Sequence, residues 1–564
     1  MRAIKHKIKN ATATPKGKII FFSILLLILA AIAAGILYWQ YNKKWIIRNE
    51  LESAVKKSSK GLYKISYDNM DLDEVNGFLS VTNMRLEYDS LKYASLVRQN
   101  NAPPSLFKIF IPEITVYGVK TPRALIDKEI AGRKLEIQKP VIEIIFTSAG
   151  KDSARHTPTK EVYEQILGNL NMISIDTVQI TGAIITTSDL KTKKQNIGLY
   201  NVFIELNNVK VDSAASEDAS RILFSKSISL QCDSLFWKSD NNLYKYGADS
   251  VSLASATNTV HINEFYVQPQ LAEDAFVNSL PTQQDRFDFI IKDITLQDLD
   301  FIKLMDEDIV AENIIISLAS FKVYRDLAIK RDRKNRVGTY PHQAIAKLPV
   351  PVDIKKITLK QAFVEYKERS AKTRRAGKVQ FYNSNAVISN LTNKKERIAH
   401  DNVMTVDIHS SFLNRTPINT LWLFYLNNPN GRFDIKGNLG SLEAKDLNPL
   451  TEPMGPARIE DGKIKSLYFN LEGNDYSMNG SVKFLYDDLK VSILEKDEDT
   501  KKLDKKELKS LVANLVVKNS NPSGKKDEPR TVQVQNERNT NRSIFHLSWK
   551  TLFKGVKETV GIKK

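Results

Sequence analysis

Ile175-Asp-Thr-Val178-Gln-Ile180-Thr-Gly-Ala183-Ile-Ile185 places apolar residues at steps of three, two, three and two. The spacing recurs at Ile291-Lys-Asp-Ile294-Thr-Leu296-Gln-Asp-Leu299-Asp-Phe301, and again at Ile354-Lys-Lys-Ile357-Thr-Leu359-Lys-Gln-Ala362-Phe-Val364-Glu-Tyr366. A step of two is the period of a strand with one buried face. A step of three shifts that phase, as a tight turn or a β-bulge does. Three copies of one irregular spacing read as an internal repeat, and such repetition suggests an extended β-structure in which each unit buries its face against the next. The candidate apolar surface is then Ile175, Val178, Ile180 and Ile185, with Ile291, Ile294, Leu296 and Phe301, and with Ile354, Ile357, Leu359 and Val364. Periodicity leaves open whether this surface lines a groove or closes into an ordinary core.

Strand signals dominate around the repeat. Tyr63, Ile65 and Tyr67 alternate with polar residues, and Asn76-Gly77 sits between apolar stretches as a hairpin turn would. Leu106–Val119 and Leu135–Phe146 read as further strands. Helical signals are few: Thr121-Pro122 as an N-cap with proline behind it, and the stripes Val162, Ile166, Leu167, Leu170; Leu271, Ala275, Phe276, Leu280; and Leu508, Leu511, Val512, Leu515. The polar stretches 147–161, 211–221, 330–342 and 367–378 read as solvated loops, the last two rich in Lys and Arg. The expected class is α+β and mostly β, a repeating sheet with a few short helices.

Residues 19–41 carry no charge, enough for a helix of about 30 Å, the thickness of a bilayer's hydrocarbon. Ile19, Phe22, Leu26, Leu29, Ile32 and Leu37 form the apolar body, and Trp39 and Tyr41 sit at the head-group level. A cleavable signal would have a shorter apolar region, and Ala31-Ile-Ala33 lies inside the run rather than after it. The basic leader 1–18 holds Arg2, Lys5, Lys7, Lys9, Lys16 and Lys18 with no acid. It prefers the cytoplasm, which sends the chain after Tyr41 across the membrane. A short helix is expected to continue through Trp45, Ile47, Leu51 and Val55 to near Gly61.

The net charge of +18 gathers at the two ends of the chain, where it can face anionic head groups. Zinc spacings and RNA-binding aromatic signatures are missing, so the charge does not point to nucleic acid. Residues 42–517 read as one exported body and 518–542 as a polar linker, leaving 543–564 as a terminal amphipathic helix. That helix sets Phe545, Trp549, Leu552, Phe553, Val556 and Val560 against Lys550, Lys554 and Lys557. Its composition suits either docking on the β-body or lying in a membrane interface.

No catalytic or metal motif stands out. The seven histidines have no ligand spacing, and no phosphate-cradling glycine loop or nucleophile elbow occurs. Cys232 is single, which rules out an internal disulfide framework, and its environment reads as a strand. No enzyme activity and no cofactor are expected.

The order of features resembles the AsmA-like proteins in their Bacteroidota-type form. The resemblance is carried by Gly437-Asn-Leu-Gly440, Asp446-Leu-Asn-Pro449, Gly462-Lys-Ile464, Gly473-Asn-Asp-Tyr476, Gly480 and Tyr486-Asp-Asp-Leu-Lys490, within a region of about 400–495. Val364-Glu-Tyr366 followed by Gly377, Asn390-Leu-Thr-Asn393 and Ser543-Ile-Phe-His-Leu-Ser-Trp-Lys-Thr-Leu-Phe-Lys-Gly555 add to it. The resemblance implies a bacterial inner-membrane anchor with a periplasmic β-groove body akin to the larger TamB-like bridges. It implies a part in envelope and outer-membrane biogenesis, with phospholipid bound or transferred along the groove. Acyl chains crossing water need a continuous apolar face, which the repeat could supply. The alternative is an assembly module that binds envelope proteins and keeps its apolar faces in a closed core.

Overall fold

The computed structural model describes residues 55–562 apart from 58, 74–75, 120–128, 148–170, 240, 455–456, 497–502, 506–517 and 525. The chain is mostly β, with a handful of short helices. The membrane segment 19–41 and the helices expected at Thr121-Pro122, Val162–Leu170 and Leu508–Leu515 lie outside the described residues. Among those described, no helix is long and apolar enough to cross a membrane. Instead of one body over 42–517, two compact units form. The first holds the chain to Ser239 with Tyr246–Phe265 and Thr295–Val310, and the second holds Asp240–Lys245, Tyr266–Ile294 and Ala311 onward.

In the first unit, the helix expected before Gly61 is seen at Val55–Lys57, and Gly61 ends it at φ +80°, donating to the Lys56 carbonyl at 2.7 Å. Asn69–Asp73 and Phe78–Tyr88 then form the expected hairpin, with Gly77 at φ +61°. Phe78–Tyr88 pairs with Ser105–Tyr117. The strand expected over Leu135–Phe146 is in fact two, Glu129–Gln138 and Val141–Phe146, broken at Lys139-Pro140 where Lys139 has φ +46°. Both pair antiparallel with Ser105–Tyr117 and parallel with Met172–Asp189. Gln195–Val211 and Ser227–Lys238 follow in antiparallel order. Leu106, Ile111, Leu135, Ile137 and Ile173 are wholly buried, and each such side chain contributes about 1.5–3 kcal/mol.

The repeat spacing has a concrete cause. On Met172–Asp189, Ile180, Ala183 and Ile185 face Ile204, Val202 and Leu199. On the strand Val352–Arg369, Leu359, Ala362 and Val364 face Ala386, Ser384 and Phe381. In both hairpins a three-residue step on one strand meets a two-residue step on the other, and the next interval reverses this. The extra residues are left-handed: Gly182 (φ +65°) with Asn201 (φ +51°), and Gln361 (φ +50°) with Asn383 (φ +48°). The earlier step, Ile175 to Val178 or Ile354 to Ile357, lies opposite Asn208 (φ +54°) or Asn390 (φ +61°). Asparagine tolerates this conformation better than most residues, which suits it to a bulge. The middle copy uses the other option. Its strand Arg286–Gln297 bends at Asp293 (φ +53°) and ends before Asp298 (φ +53°), after which Asp300 caps the helix Phe301–Met305.

The second unit runs as antiparallel neighbours from Val352–Arg369 and Ala376–Thr392 through Val403–Phe412, Thr416–Tyr425 and Phe433–Leu439 to Ala457–Gly473 and Ser477–Lys496. The helix expected around Leu271–Leu280 spans Glu273–Asn278 and buries Phe276. The segment 518–542 is not a linker. It contributes the strand Val532–Glu537, paired with Ser477–Val482, and it buries Asn521, Val534, Arg538 and Arg542. Its polar composition reflects side chains that bond to backbone rather than to water. Asn521, for example, donates to the Phe484 and Arg530 carbonyls and accepts from the Arg530 N–H at 2.8 Å.

Glycines of the region 400–495 have packing explanations. Gly437 lies opposite Phe469, and Gly473 opposite Phe433. A Cβ on either glycine would sit within 2.4 Å of the facing ring. The rings therefore cover bare backbone on neighbouring strands. Gly480 at φ +149° comes so close to the Asn470 carbonyl that no side chain fits.

Candidate functional site

The twelve groove candidates do not share one environment. Ile175, Val178, Ile180 and Ile185 are all 6% exposed or less, so the first copy belongs to a closed core. Ile294, Phe301 and Ile354 are buried as well. Ile291, Leu296, Ile357, Leu359 and Val364 are only half-buried. Leu296 belongs to the first unit and the other four to the second, where the rings of Phe289 and Phe321 meet edge to face at 5.4 Å. Phe287, Leu318 and Tyr366 of the same unit are exposed. Strands that present apolar side chains without covering them fully are the feature a bound acyl chain would exploit.

The terminal helix, Ile544–Thr559, starts on Ser543 and packs on the strands Ser477–Lys496 and Val532–Glu537. It docks on a face other than its most apolar one. Ile544, Leu547, Thr551, Gly555 and Thr559 are buried, and a Cβ on Gly555 would stand 2.6 Å from Val482. Small side chains let helix and strand approach closely, and the Thr551 and Thr559 hydroxyls donate back to the helix's own carbonyls. The expected stripe is turned away by roughly a third of a turn. Within it Val560 is buried, and Leu552 and Val556 are half-buried.

Phe545 is 65% exposed, Trp549 49% and Phe553 44%. These three occupy successive turns and form an outward aromatic row. Trp549 stacks on Phe553 at 6.0 Å, and the Lys557 ammonium lies 5.3 Å from the Phe553 ring. Phe545 rests edge-on against Trp422. Lys550 and Lys557 are exposed beside the row, whereas Lys554 donates to the Gln535 carbonyl at 2.7 Å. Exposed aromatic rings flanked by lysines are the composition of a helix seated at a membrane surface. Hydrophobicity marked these residues in the sequence, but only side-chain size shows which face docks.

A polar clasp missed in the sequence holds the helix in place. Arg538 and Asp475 form a wholly buried ion pair at 2.7 Å. Arg538 also donates to the Asp475, Arg336 and Arg542 carbonyls and lies 4.2 Å from the Tyr340 ring. Asp475 accepts in turn from the Gly338 N–H and the Gln343 amide. The basic loop 330–342, read as solvated, is thus fastened to the approach to the terminal helix. The separations of 137 and 202 residues between clasp partners left no local signal to find.

His342 closes the clasp, packed between Tyr340 and Phe424, with both ring nitrogens buried and unpartnered. Burial holds its pKa down at about 4, against a weaker upward pull from Asp475. The unfolded chain therefore takes up a proton through the ordinary histidine range while the folded one stays neutral until about pH 4. Stability from this site is full above the ordinary range, falls as pH drops toward 4, and changes no further below it. His342→Phe is expected to remove about 2–3 kcal/mol of this acid sensitivity. The check is the difference in unfolding midpoint between pH 7.5 and pH 4.5, with an unchanged wild-type slope counting against the assignment. His546, also held at about 4 by burial and by Arg542, titrates in both proteins and cancels in the comparison.

Cys232 is buried on its strand, and burial raises its thiol pKa. Among the described residues no cluster of His, Cys, Asp and Glu could hold a metal ion. No family model matches this chain, and no curated protein matches it.

Proposed function

We propose that this chain is a membrane-anchored envelope protein that holds phospholipid acyl chains on the half-buried apolar strands of its second unit, as the AsmA-like resemblance implies. The anchor would be the apolar run 19–41 of the inner membrane, with the β-body in the periplasm. The carrying observation is the pair of incompletely covered apolar surfaces: the strands bearing Phe287, Ile291, Leu359 and Val364, and the row Phe545, Trp549 and Phe553. A protein that worked only through polar contacts would have little reason to leave such area in water, at about 25 cal/mol for each Å².

The test is photocrosslinking in intact cells from a diazirine amino acid at Leu359 or Phe289, with buried Ile180 as the control. Phospholipid adducts at the first two and none at Ile180 are expected. Adducts only to proteins at Leu359 and Phe289 would replace the lipid reading with the assembly-module alternative. The closed, helix-covered core around Phe433, Leu471 and Tyr486 is the feature most in keeping with that alternative.

A further inference from the structure

Just before the terminal helix lies a buried cation that no carboxylate bonds. Arg542 is 7% exposed, its Nε finds no hydrogen-bond partner, and no carboxylate lies within ion-pair reach among the described residues. A buried guanidinium normally has one, because leaving such a charge unpaired costs several kcal/mol.

Its neighbours deepen the problem. Burial pushes the Arg542 pKa down, and the charges of Arg331 and Arg325 add to this, outweighing the opposite pull of Glu368 and Tyr366. Arg331 belongs to the loop that Arg336 ties to the helix approach, through donation to the Thr540 and Asn541 carbonyls. Two nearby acids are already paired, Asp285 forking with Arg325 at 2.6 Å and Asp332 with Arg336; Glu368, which accepts from the Tyr366 hydroxyl, attracts Arg542 only from beyond ion-pair reach. The helix that starts two residues later runs sixteen residues and has no acid in its first turn. The Ser543 hydroxyl caps the His546 N–H, and the remaining first-turn N–H groups add a partial positive charge beside Arg542.

We propose that Arg542, with Arg331 and the first turn of the terminal helix, binds a phosphate group. A tetrahedral anion would satisfy the guanidinium fork and the helix terminus together. The aromatic row begins at Phe545, one turn from Arg542, so a phospholipid headgroup held here would leave its acyl chains beside those rings. That last point rests on the lipid reading above; the phosphate site itself does not.

The experiment uses the full chain in dodecyl maltoside, which carries no phosphate. Thermal midpoints are measured with sodium phosphate, with dioctanoyl phosphatidylglycerol, and with sodium chloride at matched ionic strength. Phosphate or the lipid is expected to raise the wild-type midpoint above the chloride control. Arg542→Gln should abolish the rise, and Arg331→Gln should weaken affinity about tenfold, as expected for one charge-assisted contact. Saturation by the lipid at a concentration at least about tenfold lower identifies a headgroup site, and comparable concentrations identify a free-phosphate site.

If Arg542→Gln does not fold, the exposed Arg331→Gln is read alone. The proposal is overturned if neither probe exceeds chloride, or if the folded variants respond as wild type does. A phosphate response without lipid adducts at Leu359 would sink the lipid reading and leave this site standing; adducts without any response would do the reverse.

Discussion

Replacing Arg538 with alanine destabilises the second unit by about 3–5 kcal/mol, the range for leaving one member of a buried ion pair alone. The loss is large because the guanidinium touches the Asp475 carboxylate, three backbone carbonyls and the Tyr340 ring at once. Arg538→Lys is expected to rescue little, since an ammonium cannot reproduce the planar fork. The double variant Arg538→Ala, Asp475→Ala should cost less than the two single changes added, because they share one contact. Thermal unfolding of the full chain reads this directly. A drop equivalent to less than about 1 kcal/mol would mean that water reaches the site and that the clasp is not closed.

Changing Phe545, Trp549 and Phe553 together to alanine has the opposite signature: little effect on the fold and a large one on membrane contact. The rings are 44–65% exposed, so their removal takes little from the core. Each aromatic side chain inserted at a lipid interface is worth about 1–2 kcal/mol, so the triple change should weaken interfacial seating by about 100-fold or more. In proteoliposomes, labelling of the terminal helix by a photoactivatable phospholipid should fall to background while the unfolding midpoint holds. Undiminished labelling would mean that the row faces something other than lipid. A lowered midpoint would mean that the rings support the fold.

The strand body was legible because its signals are local. Alternation at Tyr63–Tyr67, the Asn76-Gly77 turn and the steps of three in the repeat all act within a few residues along the chain. Even the choice between bulge and turn left a trace. Gly182 and Gln361 sit inside strands that continue, while Asp298 is followed by Asp300, which caps a helix. The matching Tyr200-Asn201 and Tyr382-Asn383 on the partner strands could have extended the repeat, had asparagine been read as a bulge residue.

Other features were misjudged because they depend on distant partners. Segment 518–542 looked like a linker because it is polar. It contains a strand and buries Arg538, for which Asp475 and the Arg336 carbonyl supply what water otherwise would. The resembling glycines look like family signatures in the sequence, and in the fold they leave room for Phe433, Phe469 and the Asn470 carbonyl.

By itself the sequence determined that the chain is mostly β, that its apolar positions recur with phase shifts, and that its last segment is an amphipathic helix. Period and composition are properties of neighbours in the chain. Only the tertiary structure decided which repeat copy is sealed, which face of the helix docks, and which arginine finds a partner. Those depend on how closely two backbones approach and on whether a charge meets its opposite, and partners 73 positions apart (Gly555 and Val482) and 63 apart (Arg538 and Asp475) decide the helix face and the arginine pair.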